Sequence, residues 1–253
     1  MIYVTGDTHG DDLKFKEDNM PGESTWTSKD TLIICGDFGF IYYDDAFPKG
    51  KEHFDNLLDM LERKKYNIVF VDGNHENFDL LYDTDKYPLV EKYGNTVRKI
   101  RNNIFHLQRG LIYTIEGKTF FSFGGAYSID KARRISLNPE RSKDKPVHWW
   151  PQELPNDEEY ERGIESLKTV GYKVDYIITH TAPNTVLEML KFTLPPKERE
   201  SFFLDPHDMQ LRSYFDMIWH NANFTGWYFG HWHYDKHLTD KARALLFDVE
   251  TIY

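Results

Sequence analysis

Five short apolar runs in this chain each lead into residues that bind metal ions well. The run "IYV" at residue 2 passes into "TGDTHG" with Asp7 and His9, "TLIIC" at 31 into "GD" with Asp37, and "NIVFVD" at 67 into "GNHE" with Asn74 and His75. The runs "YIIT" at 176 and "GWYF" at 226 lead into His180 and into "GHWH", with His231 and His233. Asp-x-His and His-x-His place two side chains on one face of an extended segment, a geometry a metal can use. Any one of these pieces alone fits an ordinary turn, and their recurrence at five places is what points to a shared site. A donor set of imidazole, carboxylate and amide oxygen without thiolate suits Mn, Fe or Zn, with Mn favoured, over a structural zinc knuckle. Asp7, His9, Asp37, Asn74, His180, His231 and His233 are too many for one tetrahedral ion. Two ions sharing a carboxylate fit, and such pairs clamp the attacking and leaving oxygens of an in-line phosphoryl displacement.

The elements that must position these residues follow from the apolar pattern. Each run is short, rich in β-branched and aromatic residues and bounded by Gly, Asp or His, so each reads as a buried strand. "LIYTIEGKTFFSFGG" at 111 predicts a hairpin and "ARALLFDVETIY" at 242 a closing strand. Phe54, Leu57, Leu58 and Leu61 fall at helical spacing, "NDEEYERGIESLKTVGY" predicts a helix capped by Asn156, and "MQLRSYFDMIWHNA" a third. Strands alternating with helices define an α/β fold, in which ligands sit outside the carboxyl ends of the strands. We read residues 1–253 as one domain with loop-rich insertions around 128–155 and 184–225. Asp11 and Asp12 fit the first turn of a helix, whose dipole favours acids.

The ordered set Asp-x-His, Gly-Asp, Gly-Asn-His-Glu, His and Gly-His-x-His resembles the signature of the calcineurin-like metallophosphoesterase superfamily, and it spans Asp7 to His233. The resemblance implies a four-layer α/β/β/α sandwich of two mixed sheets, with a dinuclear centre at the strand ends. It implies that Asp7, His9 and His233 hold one metal, that Asn74, His180 and His231 hold the other, and that Asp37 bridges them. His75 would be the catalytic histidine, stabilising the transition state or protonating the leaving oxygen. The nucleophile would be a metal-bound water or hydroxide, whose pKa two cations lower. The protein serine/threonine phosphatases of the superfamily continue Gly-Asp as Gly-Asp-x-Val-Asp-Arg-Gly, whereas this chain reads "GDFGFIYYDD". That departure weighs against the protein-phosphatase branch and leaves His75 in need of another acid, for which Asp44, Asp45 and Glu76 are the neighbours at hand.

Composition bounds the partners. The chain has 253 residues, 40% hydrophobic and 16% aromatic, enough for a sizeable core. The single cysteine, Cys35, allows no intrachain disulfide, no apolar run approaches membrane-spanning length and no signal-like n-region opens the sequence, so the expectation is a soluble, cytoplasmic protein. The net charge of −10 argues against indiscriminate nucleic-acid or membrane-surface binding. Residues 97–145 nonetheless carry 11 Lys and Arg against 4 Asp and Glu, a +7 segment in a chain whose remainder is −17. Within it, "GGAYSIDKARR" offers Arg133 or Arg134 as a phosphate clamp and Tyr127 as a stacking surface; ion pairs with the many acids elsewhere are the alternative use of the same residues. The function expected is a metallophosphoesterase acting on a small anionic phosphomonoester or nucleotide. A phosphodiesterase or nuclease on short or single-stranded nucleic acid is the nearest alternative, and a non-catalytic scaffold of the same fold a remote one.

Overall fold

The structure, a computed structural model, describes residues 1–136 and 148–252. Strands form where the apolar runs lie, because β-branched and aromatic side chains pack well on a pleated, buried surface. One sheet contains β1 (Ile2–Thr5), β2 (Thr31–Ile34), β3 (Asn67–Phe70), β4 (Leu89–Lys92), β5 (Asn95–Lys99) and β6 (Ile104–Leu107). The other contains β7 (Leu111–Ile115), β8 (Lys118–Phe123), β9 (Tyr176–Thr179), β10 (Gly226–Phe229), β11 (Lys236–His237) and β12 (Ala242–Ala244), and β13 (Val249–Ile252) returns to the first. Among the described residues the sheets have seven and six strands, in the orders β13-β1-β2-β3-β6-β5-β4 and β11-β12-β10-β9-β8-β7. Strands β1, β2, β3 and β6 run parallel in the first sheet, and β8, β9, β10 and β12 in the second. Antiparallel strands flank both sets, so each sheet is mixed.

Alternation along the strands sorts the core into three apolar layers. Ile2, Val4, Ile33, Cys35 and Val69 of the first sheet meet Tyr113, Phe120, Tyr176 and Ile178 of the second. On the outer face of the first sheet, Leu32, Ile34, Ile68 and Phe70 pack with Leu58 and Leu61 of α1 (Pro48–Glu62), the helix whose spacing is visible in the sequence. A single turn, α2 (Phe78–Leu81), and a short helix, α3 (Lys131–Ser136), follow. The outer face of the second sheet, with Phe121, Phe123, Ile177 and Trp227, is covered by α4 (Asp157–Thr169), α5 (Asn184–Thr193) and α7 (Met209–Asn221), with α6 (Pro196–Ser201) between the last two. This is the four-layer α/β/β/α arrangement. α4 begins with a capping box: Asn156 Oδ1 accepts from Glu159 N at 2.9 Å, and Glu159 Oε2 accepts from Asn156 N at 2.9 Å. No described helix is long and apolar enough to cross a membrane.

Four expectations need correction. The segment at 242 is two strands: β12 pairs with β10 in one sheet and β13 with β1 in the other. The chain changes sheets between them, and the Asp235 carboxylate fastens the crossing by accepting from the backbone of Leu246, Phe247 and Asp248. The 184–225 region is mostly helical, because Val186, Leu187 and Leu190 give α5 an apolar face for the second sheet. Asp11 caps a short 3-10 turn, Asp12–Phe15, accepting from Leu13 N at 2.9 Å, and no α-helix follows it. Finally, β4, β5 and β6 escape the sequence reading, since their apolar residues are interspersed with the charges of residues 89–107. Within the 128–155 stretch, residues 137–147 lie outside the described residues.

Candidate metal centre

The carboxyl ends of β1, β2 and β3 in one sheet and of β9 and β10 in the other deliver the candidate residues to one place. Asp7, Asp37, Asn74 and His180 are buried, His75 and His231 half-buried, and His9 and His233 exposed. Three sets of donor atoms gather, each within 4.8 Å: Asp7, His9 and His233; His9, Asp37 and His75; Asp7, Asp37 and His180. Asn74 Oδ1 lies 3.1 Å from both His180 Nε2 and His231 Nδ1, and His233 Nε2 lies 3.1 Å from both His9 Nε2 and Asp7 Oδ2. Separations near 3 Å are what donors about 2.1 Å from a common ion require when cis to one another.

The backbone is bent to achieve this. His9, Asp37, His231 and His233 have φ of 49°, 45°, 64° and 55°, and they are four of the seven non-glycine residues with positive φ among those described. Such conformations cost about 1–3 kcal/mol each and cluster at functional sites. Glycine makes the approach possible at two points: a Cβ on Gly73 would strike Asp37, and one on Gly230 would strike Asp7.

Hydrogen bonds aim the donors. His180 Nδ1 donates to the Cys35 carbonyl at 2.8 Å, which leaves Nε2 to face the centre. Asn74 Nδ2 donates to Ser128 Oγ at 3.1 Å, and Ser128 Oγ donates to Glu153 Oε2 at 2.5 Å, so the Asn74 carbonyl oxygen is the atom turned inward. The Lys14 ammonium, buried, donates to the carbonyl oxygens of Asp7 and Leu246. Glu76 accepts from Phe38 N at 2.6 Å and also from Gly39 N, bracing the turn that carries Asp37. The sequence does not reveal Ser128, Glu153 and Glu76 as site supports, because their bracing contacts join segments 25 or more residues apart, nor Lys14, whose burial follows from the fold.

The electrostatics call for cations. Among the described residues Asp7 and Asp37 form ion pairs only with imidazoles, although the buried Lys14 ammonium lies close enough to feel the Asp7 charge. Burial pushes the Asp37 carboxyl up, but His180, His75 and His9 outweigh it and hold the group well below the usual carboxylate range. Burial pushes the His180 ring down, yet Asp37 and Asp7 raise it to about 9, so Nε2 is where positive charge is taken up. Burial and the charge of His180 drive His231 down to about 3, leaving a neutral imidazole suited to ligation. Two buried carboxylates surrounded by nitrogen and amide donors fit divalent metal ions.

A cavity of about 630 Å³ opens over this centre. It is lined by Asp37, Asn74, His75, His231 and His233 of the candidate centre and also by Ile129, Asp130, Arg134, Glu198, Phe202, Phe203 and Asp205. Arg134 is buried; its Nε donates to Asp130 Oδ1 at 2.7 Å and its Nη2 lies against both ring nitrogens of His75. Arg133 is exposed, and Tyr127 stacks on His207 with centroids 4.7 Å apart; neither lines the cavity. The acids considered for His75 are engaged elsewhere. Asp44 accepts from Ala46 N, Asp45 pairs with Lys51, and Glu76 holds the Asp37 turn. Nor does the basic segment form one patch: Arg98 and Arg109 are buried, Arg101 pairs with Asp55, Asp59 and Glu62, and Arg141, Lys143 and Lys145 lie outside the described residues.

The two-sheet sandwich with a nitrogen- and oxygen-rich centre at its strand ends defines a metallohydrolase architecture. The calcineurin-like phosphoesterase family matches residues 1–235, and the chain belongs to that family. Family membership supports a metal-dependent phosphoester hydrolase, and the donor groups gathered here are candidates to hold the metal. No curated protein matches the chain.

Proposed function

We propose that the protein hydrolyses a small phosphomonoester at a dinuclear centre in which Asp7, His9 and His233 hold one divalent ion, Asn74, His180 and His231 hold the other, and Asp37 bridges them. The observation that carries this reading is the pair of buried carboxylates, Asp7 and Asp37, whose ion-pair partners among the described residues are imidazoles. Bound there, the two ions would lower the pKa of a water and draw charge from the phosphoryl oxygens. The absence of thiolate favours Mn, Fe or Zn, with Mn first.

The chain's own groups complete the site. Arg134 is the cation of the cavity wall, and its guanidinium grips a phosphoryl oxygen while Asp130 keeps it oriented. Burial lowers His75 to about 4, and Arg134 beside it works in the same direction against Asp37. The ring is therefore neutral near pH 7, and its N–H stabilises a phosphoryl or leaving oxygen as a hydrogen-bond donor. Glu198 and Asp205, which also line the cavity, disfavour a polyanion, which favours a small ester with one phosphate over nucleic acid.

The test is a side-by-side assay of an aryl phosphomonoester and the corresponding diester, with added Mn²⁺ and with chelator. Metal-dependent turnover of the monoester, at least tenfold above the diester, is expected. Preference for the diester would replace the monoester reading, and activity unaffected by chelator would remove the metal centre from the mechanism.

A further inference from the structure

Two apolar side chains stand in the open beside the candidate metal centre. Ile129 is 79% exposed and Phe203 65% exposed, and both line the cavity of about 630 Å³ over the centre. They come from different parts of the chain, Ile129 from the connection between β8 and α3 and Phe203 from the connection between α6 and α7.

Neither is exposed for want of anchoring. Ile129 lies between two residues tied to the site: Ser128 donates from N to Glu153 Oε1 at 3.2 Å and from Oγ to Glu153 Oε2 at 2.5 Å, and Asp130 Oδ1 accepts from Arg134 Nε at 2.7 Å. Phe203 likewise lies between two residues that pack inward. Phe202 stacks on Trp232 with ring centroids 4.7 Å apart, and Leu204 joins Phe202 against the apolar layer outside the second sheet. The flanking residues fix the chain at both places, and the side chain between them is left in solvent each time. Covering such side chains with a ligand removes apolar surface from water, which is favourable.

Position says which part of a substrate covers them. The phosphoryl group is taken by Arg134 and the metal-binding residues, so the part of the ester left for Ile129 and Phe203 is its alcohol portion. The cavity volume of about 630 Å³ falls in the range of roughly 300–1,000 Å³ typical of pockets that enclose an organic ligand. A phenylalanine ring gains further from an offset or edge contact with another ring. Charge narrows the choice: Glu198 and Asp205 line the same cavity and repel a carboxylate or a second phosphate.

We propose that Ile129 and Phe203 bind the alcohol portion of the substrate, and that this portion carries an aromatic ring and no negative charge. The inference rests on the reading of the centre as a phosphomonoesterase site and adds the class of ester, a phosphomonoester of an uncharged aromatic alcohol.

Calorimetric titration of 3-phenylpropylphosphonate and of propylphosphonate into the Mn²⁺-supplemented full chain tests it. Neither compound has an ester to hydrolyse, so binding is read apart from turnover. The phenyl compound is expected to bind at least about tenfold more tightly, and a carboxylate at the para position of its ring to remove most of that gain. Phe203→Ser and Ile129→Ser should each bring the ratio below about threefold. Phe192→Ser, at a residue 68% exposed on α5 that does not line the cavity, should keep the ratio within about twofold of its original value. The inference is overturned if the two phosphonates bind alike, if the para-carboxylate binds as tightly as its parent, or if Phe203→Ser and Ile129→Ser leave the ratio intact. Failure of the phosphomonoesterase reading shows differently: no turnover of any phosphomonoester, with the phenyl preference and its loss in Phe203→Ser both present, sinks that reading and leaves the pocket standing.

Discussion

His75 stands between the Asp37 carboxylate, 4.0 Å away, and the Arg134 guanidinium, and this pairing decides what the ring does. The Arg134 guanidinium lies against the ring, and a cation there disfavours a second positive charge on the imidazole. A pKa of about 4, below the ordinary histidine value of 6.5, agrees with that. His75→Asn is therefore expected to slow phosphomonoester hydrolysis by roughly 10²–10³-fold while the pH–rate profile between pH 6 and 9 keeps its shape. Loss of an alkaline limb in the variant would instead identify His75 as a proton donor. The sequence located this histidine through "GNHE", but its partner lies 59 residues away on α3. Only "Arg133 or Arg134" was legible, since adjacent residues on a helix diverge by about 100° and the fold alone chooses which one faces inward.

Each candidate residue follows a strand because parallel strands end together. β1, β2 and β3 in one sheet and β9 and β10 in the other expose their carboxyl ends at the same edge of the sandwich. The turns there are as much a part of the site as the side chains, and Gly73 is packed directly on the Asp37 carboxylate. Gly73→Ala should lower Mn²⁺ affinity at least tenfold, measured by titration, with far-UV circular dichroism unchanged; unaltered affinity would show that the turn tolerates displacement. The sequence reading recovered the five buried strands because their residues alternate between two apolar layers. It missed β4 to β6 because Arg98 and His106 sit inside them, and a buried cation looks like a loop residue until its partners are known. The charge pattern misled for the same reason, as Arg109 was counted as surface charge and is an internal one.

Across the whole molecule, Asp72, His106 and Arg109 form a buried ionic cluster one residue behind the Gly73 turn. Burial pushes Asp72 up, but Arg109 and His106 outweigh it and bring its pKa to about 2, below the usual 3.8. A carboxyl with a lowered folded-state value adds stability that is complete above pH 3.8 and is lost as pH falls toward 2, by about 2 kcal/mol in full. Denaturation of chelated wild type and Asp72→Asn should accordingly show a stability gap that narrows as pH falls from 5; a gap constant with pH would place the group outside the titration. The sequence by itself determined the α/β class and placed each candidate donor after a buried strand, because residue type and strand periodicity are local properties. Tertiary structure decided which arginine meets His75, which acids brace the turns and which cations are buried. These depend on contacts between segments tens to hundreds of residues apart, where the sign and strength of an interaction follow from burial, and burial is a property of the folded chain.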